Sequence, residues 1–326
     1  MNGRLEKEIQ CYKKIEEKIC NSPDIIKNYY TSLRANRKSY TSIRAYINNL
    51  LHFLKFLYGD NIRNDFYKTT SVSDIERYFI SLETRIVDGE EKRVGDDVLQ
   101  QRWSSLMSFY DFLVKRGYRD TNPVNNIDRP SNQTEHKVVY LTKAELNKLF
   151  KAIDENPSVV MAIRDRAVMS LGLSTGMRVS AIVNINISDI DFNNNIIKVI
   201  EKRKKVREIV IGDNTKQQLQ KWISVRNDFF KDINTDALFV SQKKSRLSTF
   251  AANDALKKYC EKAGISKHIT MHKLRSSAAC TLAKGNIPVK AIAQQLGHSS
   301  IKTTMRYLDV FNEDMEKSKN ILDNLF

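Results

Sequence analysis

Three short segments in the second half of the sequence place unusual polar residues in otherwise apolar surroundings. The first contains Arg178, the second runs from His272 to Arg275, and the third ends at His298, which precedes Tyr307 by nine residues. Arginine suits phosphoryl chemistry because its planar fork binds two phosphate oxygens at once and stays charged. Taken singly, each residue also has an ordinary structural interpretation: a solvated arginine or helix cap, a structural histidine, or a core or surface tyrosine.

Several common catalytic motifs are missing from the sequence. It contains no Gly-rich phosphate loop, no H-E-x-x-H and no G-x-S-x-G, and no cluster of acidic residues suggests a two-metal site. The sequence therefore predicts that any chemistry on phosphodiesters proceeds without a metal, a nucleotide or another cofactor.

Together, and in this order, the three segments resemble the tyrosine recombinase (phage integrase) family, in its simple two-domain form. The family carries an arginine in a T-G-x-R-x-S segment, an H-x-L-R box, an L-G-H box and a tyrosine nine residues after that histidine. This sequence matches with 175–180, 272–275, 296–298 and Tyr307. The resemblance covers residues from about 20 to 310 and implies six catalytic residues: Arg178, Lys202, His272, Arg275, His298 and Tyr307.

The sequence departs from the family pattern in three places. Ala181 stands where many members have an acidic residue, and Ser276 stands where histidine is common. The basic turn that matches the family's G-K-G-x-K-x-R hairpin lacks its usual glycines. Lys202 occupies the position of the catalytic lysine, but a shifted turn would give that role to Lys204 or Lys205.

The resemblance implies covalent catalysis by tyrosine. Tyr307 would attack the scissile phosphorus and form a 3′-phosphotyrosyl bond, which conserves the bond energy and requires no ATP. Because a free tyrosine has a pKa of about 10, it needs a proton acceptor and nearby positive charge. His272 would accept the proton or bind the phosphate.

The remaining family positions imply binding of the phosphate and of the leaving group. Arg178 and Arg275 would clamp the non-bridging oxygens and stabilise the pentavalent transition state. His298 would hydrogen-bond the phosphate, and Lys202 would protonate the 5′ oxygen as general acid. A 5′ hydroxyl from a partner strand would then reverse the step and join new DNA ends.

The implied partner is a double-stranded DNA recombination site, enclosed by the two domains as a C-shaped clamp. Two such sites would be held by a homotetramer, and the amphipathic segment 312–326 would dock as a helix on a neighbouring protomer; packing within its own chain is the alternative. Six residues are predicted to contact DNA: Lys38, Thr41, Arg44, Arg102, Lys204 and Lys205.

Composition agrees with a polyanionic partner. The 326 residues carry 54 Lys+Arg and 38 Asp+Glu, a net charge of +16, and neutralised phosphates release condensed counterions. The sequence contains no run of 18 apolar residues, so it predicts no membrane-spanning helix. The four cysteines form neither a C-x-x-C pair nor a zinc-binding pattern. We therefore expect a cytoplasmic protein, nucleoid-associated in a prokaryote, that binds no metal.

The predicted fold is mainly α, with two domains. Residues 1–130 form an N-terminal helical core-binding domain, SAM-like by family resemblance, and the polar stretch 131–137 is a linker. Residues 138–326 form a mixed, mostly helical catalytic domain that ends in the C-terminal helix. Its small antiparallel sheet is predicted over 190–211, where β-branched runs alternate with turn residues.

Local signals predict particular boundaries. Ser73, with Glu76 three residues later, reads as the cap of one helix, and 88–93 reads as a charged, mobile loop. Thr142 with Glu145 forms a capping box. The H-x-L-R segment is expected just before a helix over 275–284.

Two other functions remain open from the sequence. A type IB topoisomerase-like enzyme would share the tyrosine and arginine chemistry but relax supercoils instead of exchanging strands. A DNA-binding relative without enzymatic activity would retain only the clamp, although the presence of all six catalytic positions argues against it.

Overall fold

The computed structural model describes residues 2–87, 90–130, 138–200, 206–230, 235–297, 300–305 and 307. The chain divides into two compact units, Met1–Glu135 and His136–Phe326. The protein is mostly helical, with a small antiparallel sheet in the second unit. The predicted fold class is therefore confirmed.

The first unit is built mainly from helices around an aromatic core. Its elements are α1 (Asn2–Ile19), α2 (Asp24–Ala35), α3 (Tyr40–Tyr58), α4 (Phe66–Thr69), α5 (Val72–Ser81), β1 (Thr84–Val87), β2 (Glu90–Arg93), α6 (Asp96–Lys115) and a 3-10 turn (Pro123–Asn126).

Aromatic packing joins distant helices of this unit. The ring of Phe109 on α6 lies 5.2 Å from that of Tyr29 in a T-shaped pair and 5.9 Å from that of Phe66 in a stacked pair. Such pairs add roughly 0.5–1.5 kcal/mol beyond the burial of their area. A buried hydrogen bond of 2.8 Å from Asn49 Nδ2 to Ser105 Oγ fixes α3 against α6.

Two local predictions for this unit are wrong. Helix α5 is capped by Ser71 rather than Ser73, because the Ser71 hydroxyl accepts the Asp74 N–H while the Asp74 carboxylate accepts the Ser71 N–H. Residues 90–93 form a strand that pairs antiparallel with β1 rather than a loop. Helix α1 was also not expected from the sequence.

The second unit carries the sheet and eight helices among the residues that the structure describes. Its elements are α7 (Lys143–Asp154), α8 (Val159–Thr175), α9 (Val179–Asn184), a 3-10 turn (Ile187–Asp189), β3 (Ile190–Asp191), β4 (Ile196–Ile200), β5 (Val206–Val210), α10 (Asp213–Phe229), α11 (Thr249–Lys262), α12 (Met271–Lys284), α13 (Val289–Leu296) and α14 (Lys302–Met305).

The sheet has the strand order β3-β4-β5 and is antiparallel throughout. Ile197, Val199 and Ile209 point into the core, whereas Val206 and Val210 are exposed. This alternation follows from the period of two along a strand. The antiparallel sheet predicted over 190–211 is confirmed, as is the capping box of Thr142 on α7.

A buried polar cluster joins α8 to α11. Arg164 Nε donates to Asp165 Oδ1 at 2.8 Å, and the Tyr259 hydroxyl donates to Asp165 Oδ2 at 2.9 Å. Burial raises the pKa of Asp165 despite the adjacent Arg164 guanidinium. Because these groups satisfy one another inside the core, they fix the helix whose C-terminus begins the candidate site.

Candidate active site

The first motif segment lies between two helices. Helix α8 ends at Gly176, which has a φ of +62° and caps the helix in the left-handed region. Arg178 follows at the N-cap of α9, with its side chain exposed. This helix end places Arg178 at a bend where its exposed side chain can reach a ligand.

The second motif segment is the beginning of α12, not a loop before it. The helix begins at Met271 because the Thr270 hydroxyl accepts the Lys273 N–H and Asn253 Oδ1 accepts the Met271 N–H at 2.9 Å. The predicted start at residue 275 is therefore wrong. His272 and Arg275 are three residues apart, so they lie on one side of the helix.

One hydrogen bond joins the first two motifs. The guanidinium of Arg275, whose side chain is only 1 % exposed, donates from Nη1 to the Gly176 carbonyl oxygen at 2.8 Å. The residues are 99 positions apart in sequence. Arg178 lies two residues after this carbonyl, so both arginines are held in the same region of the unit.

The third motif packs against the same glycine. A Cβ on Gly176 would stand 2.3 Å from Leu296 Cδ2, closer than any real contact, and 3.9 Å from the Ala278 Cβ. Helix α13 thus approaches the backbone of the first motif directly. It ends at Gly297, with a φ of +68°, and His298 follows outside the described residues.

Tyr307 belongs to an apolar cluster beneath α12 and α13. Its side chain is 2 % exposed and packs with Ala279, Cys280, Ile292 and Leu296. Burial raises the pKa of the Cys280 thiol to about 11, so this cysteine stays neutral at physiological pH. The cluster links the tyrosine to the two helices that carry the second and third motifs.

The basic hairpin reaches the site through its second strand. Lys202, Lys204 and Lys205 lie outside the described residues, but the strands that flank them end in the pair Ile200–Val206. The Arg207 guanidinium donates from Nη2 to the carbonyl oxygens of Gln294 and Gln295 at 2.8 and 2.6 Å. The sheet is therefore attached to the C-terminus of α13.

The other residues predicted to contact DNA lie in the first unit. Lys38, Thr41 and Arg44 are exposed around the start of α3, and the Arg44 guanidinium lies 5.8 Å from the centre of the Tyr40 ring. Arg102, on α6, is half-buried. The exposed trio is available to a ligand, whereas Arg102 is partly engaged within the protein.

Arg102 takes part in a small polar cluster. It hydrogen-bonds the Tyr78 hydroxyl, which lies 3.0 Å from His52 Nδ1. Burial lowers the pKa of His52, and the nearby Arg102 charge lowers it further. Burial raises the pKa of Tyr78 to about 12, so the tyrosine stays protonated at physiological pH.

Sequence reasoning missed two residues that shape the site. Asn253 holds the first turn of α12, and Arg207 holds the hairpin against α13. Arg207 occupies the last position of the hairpin motif, so its place in that pattern was a usable signal. Asn253 carried none, because its partner is distant in sequence. Among the described residues no group of His, Cys, Asp and Glu is arranged to hold a metal ion.

Comparisons with known proteins identify the family to which the chain belongs. Residues 139–314, more than half of the chain, match the phage integrase family. The chain is 31 % identical over 222 residues to tyrosine recombinase XerC of Vibrio cholerae serotype O1 (strain ATCC 39541 / Classical Ogawa 395 / O395), which covers 68 % of this chain and 70 % of that relative.

Solved structures share the fold. The XerH recombinase bound to a palindromic difH substrate matches with a TM-score of 0.71 and 20 % identity, over 89 % of this chain and 82 % of that one. A lambda integrase tetramer bound to a Holliday junction matches with a TM-score of 0.67 and 18 % identity, over 88 % of this chain and 77 % of that one.

The chain belongs to the phage integrase family, the tyrosine recombinases that carry out site-specific DNA recombination by cleaving and rejoining strands. The family predicted from the motifs is thereby confirmed.

No helix in the described part of the chain is both long and apolar enough to span a membrane.

Proposed function

We propose that this recombinase cleaves DNA through a 3′-phosphotyrosyl intermediate on Tyr307. The observation that carries the proposal is the meeting of three motif segments at Gly176, where Arg275 bonds the glycine carbonyl and Leu296 packs on its backbone. Segments far apart in sequence are thus held together on one side of the unit. Residues brought together in this way can act on one and the same phosphate.

In the cleavage step, the Tyr307 oxygen forms a bond to phosphorus and the bond from phosphorus to the 5′ oxygen breaks. Arg178 and Arg275 bind the non-bridging oxygens and stabilise the charge that develops on them. The tyrosine proton passes to His272, which alternatively binds the phosphate. Attack by a 5′ hydroxyl of another strand reverses every bond change and releases the tyrosine.

Two further residues complete the proposed site. Lys202 donates a proton to the leaving 5′ oxygen, with Lys204 or Lys205 as alternatives, and His298 hydrogen-bonds the phosphate. The three lysines lie in sequence between β4 and β5, and His298 follows the cap of α13. Catalysis on this scheme uses no metal and no nucleotide.

The burial of Tyr307 adds one requirement. Tyr307 is only 2 % exposed, so we expect its hydroxyl to meet a phosphate after a displacement of the segment that carries it. We therefore include in the proposal a shift of residues 300–307 when DNA binds.

The proposed substrate is a double-stranded recombination site, bound by the first unit through Lys38, Thr41, Arg44 and Arg102 and by the hairpin lysines. The XerH structure bound to its difH substrate supports a DNA partner, and the lambda integrase tetramer bound to a Holliday junction supports a homotetramer that joins two sites. Exchange of segment 312–326, which lies outside the described residues, is part of this proposal. So is residence in the cytoplasm.

A suicide substrate tests the central claim. The probe is a nicked duplex that carries the sequence this protein selects from a randomised duplex library. We expect wild type to form a covalent adduct and Tyr307→Phe to form none. Arg178→Ala or Arg275→Ala should slow adduct formation on the order of 10²- to 10³-fold, the loss typical of a removed oxyanion donor.

The same preparation separates the alternative functions. Joining of strands from two different duplexes supports recombination, whereas relaxation of a supercoiled plasmid without joining supports a topoisomerase. Selective binding without any adduct supports a DNA-binding protein that has lost catalysis. An adduct that persists in Tyr307→Phe would show that another residue is the nucleophile.

A further inference from the structure

We infer that Arg207 is a positioning residue that holds the general-acid hairpin at the active site. The inference rests on the proposed function, because it assigns Arg207 a role in the cleavage step. Its basis is the pair of hydrogen bonds from the Arg207 guanidinium to the carbonyl oxygens of Gln294 and Gln295, at 2.8 and 2.6 Å.

The position of Arg207 on β5 explains why it can make this contact. Exposure alternates along the strand, so Arg207 lies on the same face as buried Ile209, whereas Val206 and Glu208 face solvent. Arg207 pairs with Val199, itself 4 % exposed. The half-buried Arg207 side chain is therefore directed toward α13, where its guanidinium makes these hydrogen bonds.

The receiving end of α13 favours a cation. The last carbonyls of a helix have no partners within the helix and carry a partial negative charge. Gln294 O also accepts the N–H of Gly297, the left-handed cap. Arg207 adds charge-assisted hydrogen bonds to this terminus, directly before the segment that contains His298.

Helix α13 is held by contacts other than those with Arg207. Ile292 and Leu296 are buried in the apolar cluster with Tyr307, and Leu296 also packs on Gly176. These contacts fix α13 whether or not Arg207 is present. At the end of the sheet, Val206 is exposed and β5 is an edge strand. Loss of Arg207 should therefore loosen the hairpin end of β4 and β5 relative to α13, while the two strands stay paired with each other and α13 stays in place.

Lys202 lies close in sequence to the position that Arg207 holds. Five residues join Ile200 to Val206, which pair across the strands, and Lys202 is the second of the five. Arg207 directly follows Val206, so its bonds fix the base of this loop relative to α13. A general acid works only within hydrogen-bond reach of the oxygen that it protonates, so a loosened hairpin should impair protonation of the leaving group specifically.

A sulfur-substituted substrate isolates that step. When the bridging 5′ oxygen at the scissile position is replaced by sulfur, the bond from phosphorus to sulfur breaks and a thiolate departs. A thiol of cysteine type has a pKa of about 8.5, so the leaving group needs no proton. Defects in the general acid should disappear on this substrate, while defects in phosphate binding or in the nucleophile should remain.

The experiment compares adduct formation on matched oxygen and sulfur suicide duplexes. We expect Arg207→Ala to be slowed about tenfold or more on oxygen, within the contribution typical of a general acid, and to approach the wild-type rate on sulfur. Among Lys202→Ala, Lys204→Ala and Lys205→Ala, the variant of the true general acid should show the same rescue. Arg207→Lys, which retains a cationic donor, should fall between Arg207→Ala and wild type.

Controls keep the outcomes distinct. Glu208→Gln, on the same strand but the opposite face, should match wild type on both substrates. The inference is overturned if Arg207→Ala is fully active on oxygen, if it is equally slow on both substrates, or if no hairpin lysine variant is rescued by sulfur. Failure of wild type to form an adduct on either substrate would instead contradict the proposed function.

Discussion

At the scale of single residues, the candidate active site depends on a glycine. Gly176 ends α8 in the left-handed region, accepts the Arg275 guanidinium at its carbonyl and leaves room for Leu296. A side chain here would be strained by its φ and would also displace the leucine. Each function uses a different part of the same peptide unit, so no other residue type serves all three.

Substitution of this glycine tests that reasoning. Gly176→Ala should lower the free energy of unfolding by more than the roughly 1–2 kcal/mol cost of a left-handed alanine, because Leu296 must also move. The rate of adduct formation should fall about tenfold or more, since small displacements of catalytic groups are costly. Urea unfolding and the suicide-substrate assay measure the two effects.

Gly264 offers a matched control. It has a φ of +67°, but no atom lies within 4 Å of the point that a Cβ would occupy, so Gly264→Ala carries the backbone strain without the clash. We expect it to be less destabilising than Gly176→Ala and to leave adduct formation unchanged. Equal effects of the two substitutions on stability and rate would contradict a special role for the contact with Leu296.

At the scale of elements, helix boundaries decide what the motifs can do. The H-x-L-R segment is the first turn and a half of α12, which places His272 and Arg275 on one side and leaves the histidine exposed while the arginine is buried. The boundary depends on Asn253 of α11, which accepts the Met271 N–H. A local pattern of Ala, Cys and Leu could not reveal it, because half of the cap comes from another helix.

The cap of α5 shows the same limit and provides a test. Ser71→Ala should destabilise the first unit by about 1 kcal/mol, the usual cost of removing a serine N-cap, because it removes the hydroxyl that accepts the Asp74 N–H. Ser73→Ala should change the free energy of unfolding by less than about 0.5 kcal/mol, since it alters an exposed site without a capping role.

Urea unfolding followed by circular dichroism measures both serine variants, and hydrogen exchange of the α5 amides reports the local effect. Faster exchange in Ser71→Ala and wild-type exchange in Ser73→Ala is the expected result. The reverse order would restore the boundary that the sequence predicts.

At the scale of the whole molecule, some of the basic residues behind the net charge of +16 can be assigned to particular places in the structure. Arg178 and Arg275 belong to the candidate active site, and Arg207 to the joint between sheet and α13. Lys38 and Arg44 are exposed around the start of α3, separate from any role in the chemistry. Binding of DNA should therefore combine a few catalytic contacts with a larger electrostatic contribution.

Salt dependence measures that contribution. For wild type, the logarithm of the binding constant for a duplex should fall linearly with the logarithm of salt concentration. Each phosphate contact contributes about 0.9 to the slope, so Arg44→Gln and Lys38→Gln should each reduce it by about that amount.

Lys27→Gln serves as the control for salt dependence. It removes the same charge from the first unit, but Lys27 is paired with Asp24 at 3.0 Å. It should leave the slope close to the wild-type value. If all three variants change the slope equally, net charge rather than contact determines binding, and the predicted DNA face of α3 is wrong.

The sequence by itself determined the family, the motif residues and most helices, because these depend on residue type and on periodicity within a few turns. It also determined the sheet of the second unit, whose β-branched runs alternate with turn residues. It did not find the β1–β2 pairing, although Asp88-Gly89, the dipeptide between the two strands in sequence, is a common hairpin signal.

Only the tertiary structure decided how these parts meet. The bond from Arg275 to Gly176 spans 99 residues, and the bond from Arg207 to Gln294 spans 87. The burial of Tyr307 likewise depends on two helices packed together. Such contacts arise from the packing of elements that are distant in the chain, and local propensity carries no information about which carbonyl a distant guanidinium will reach.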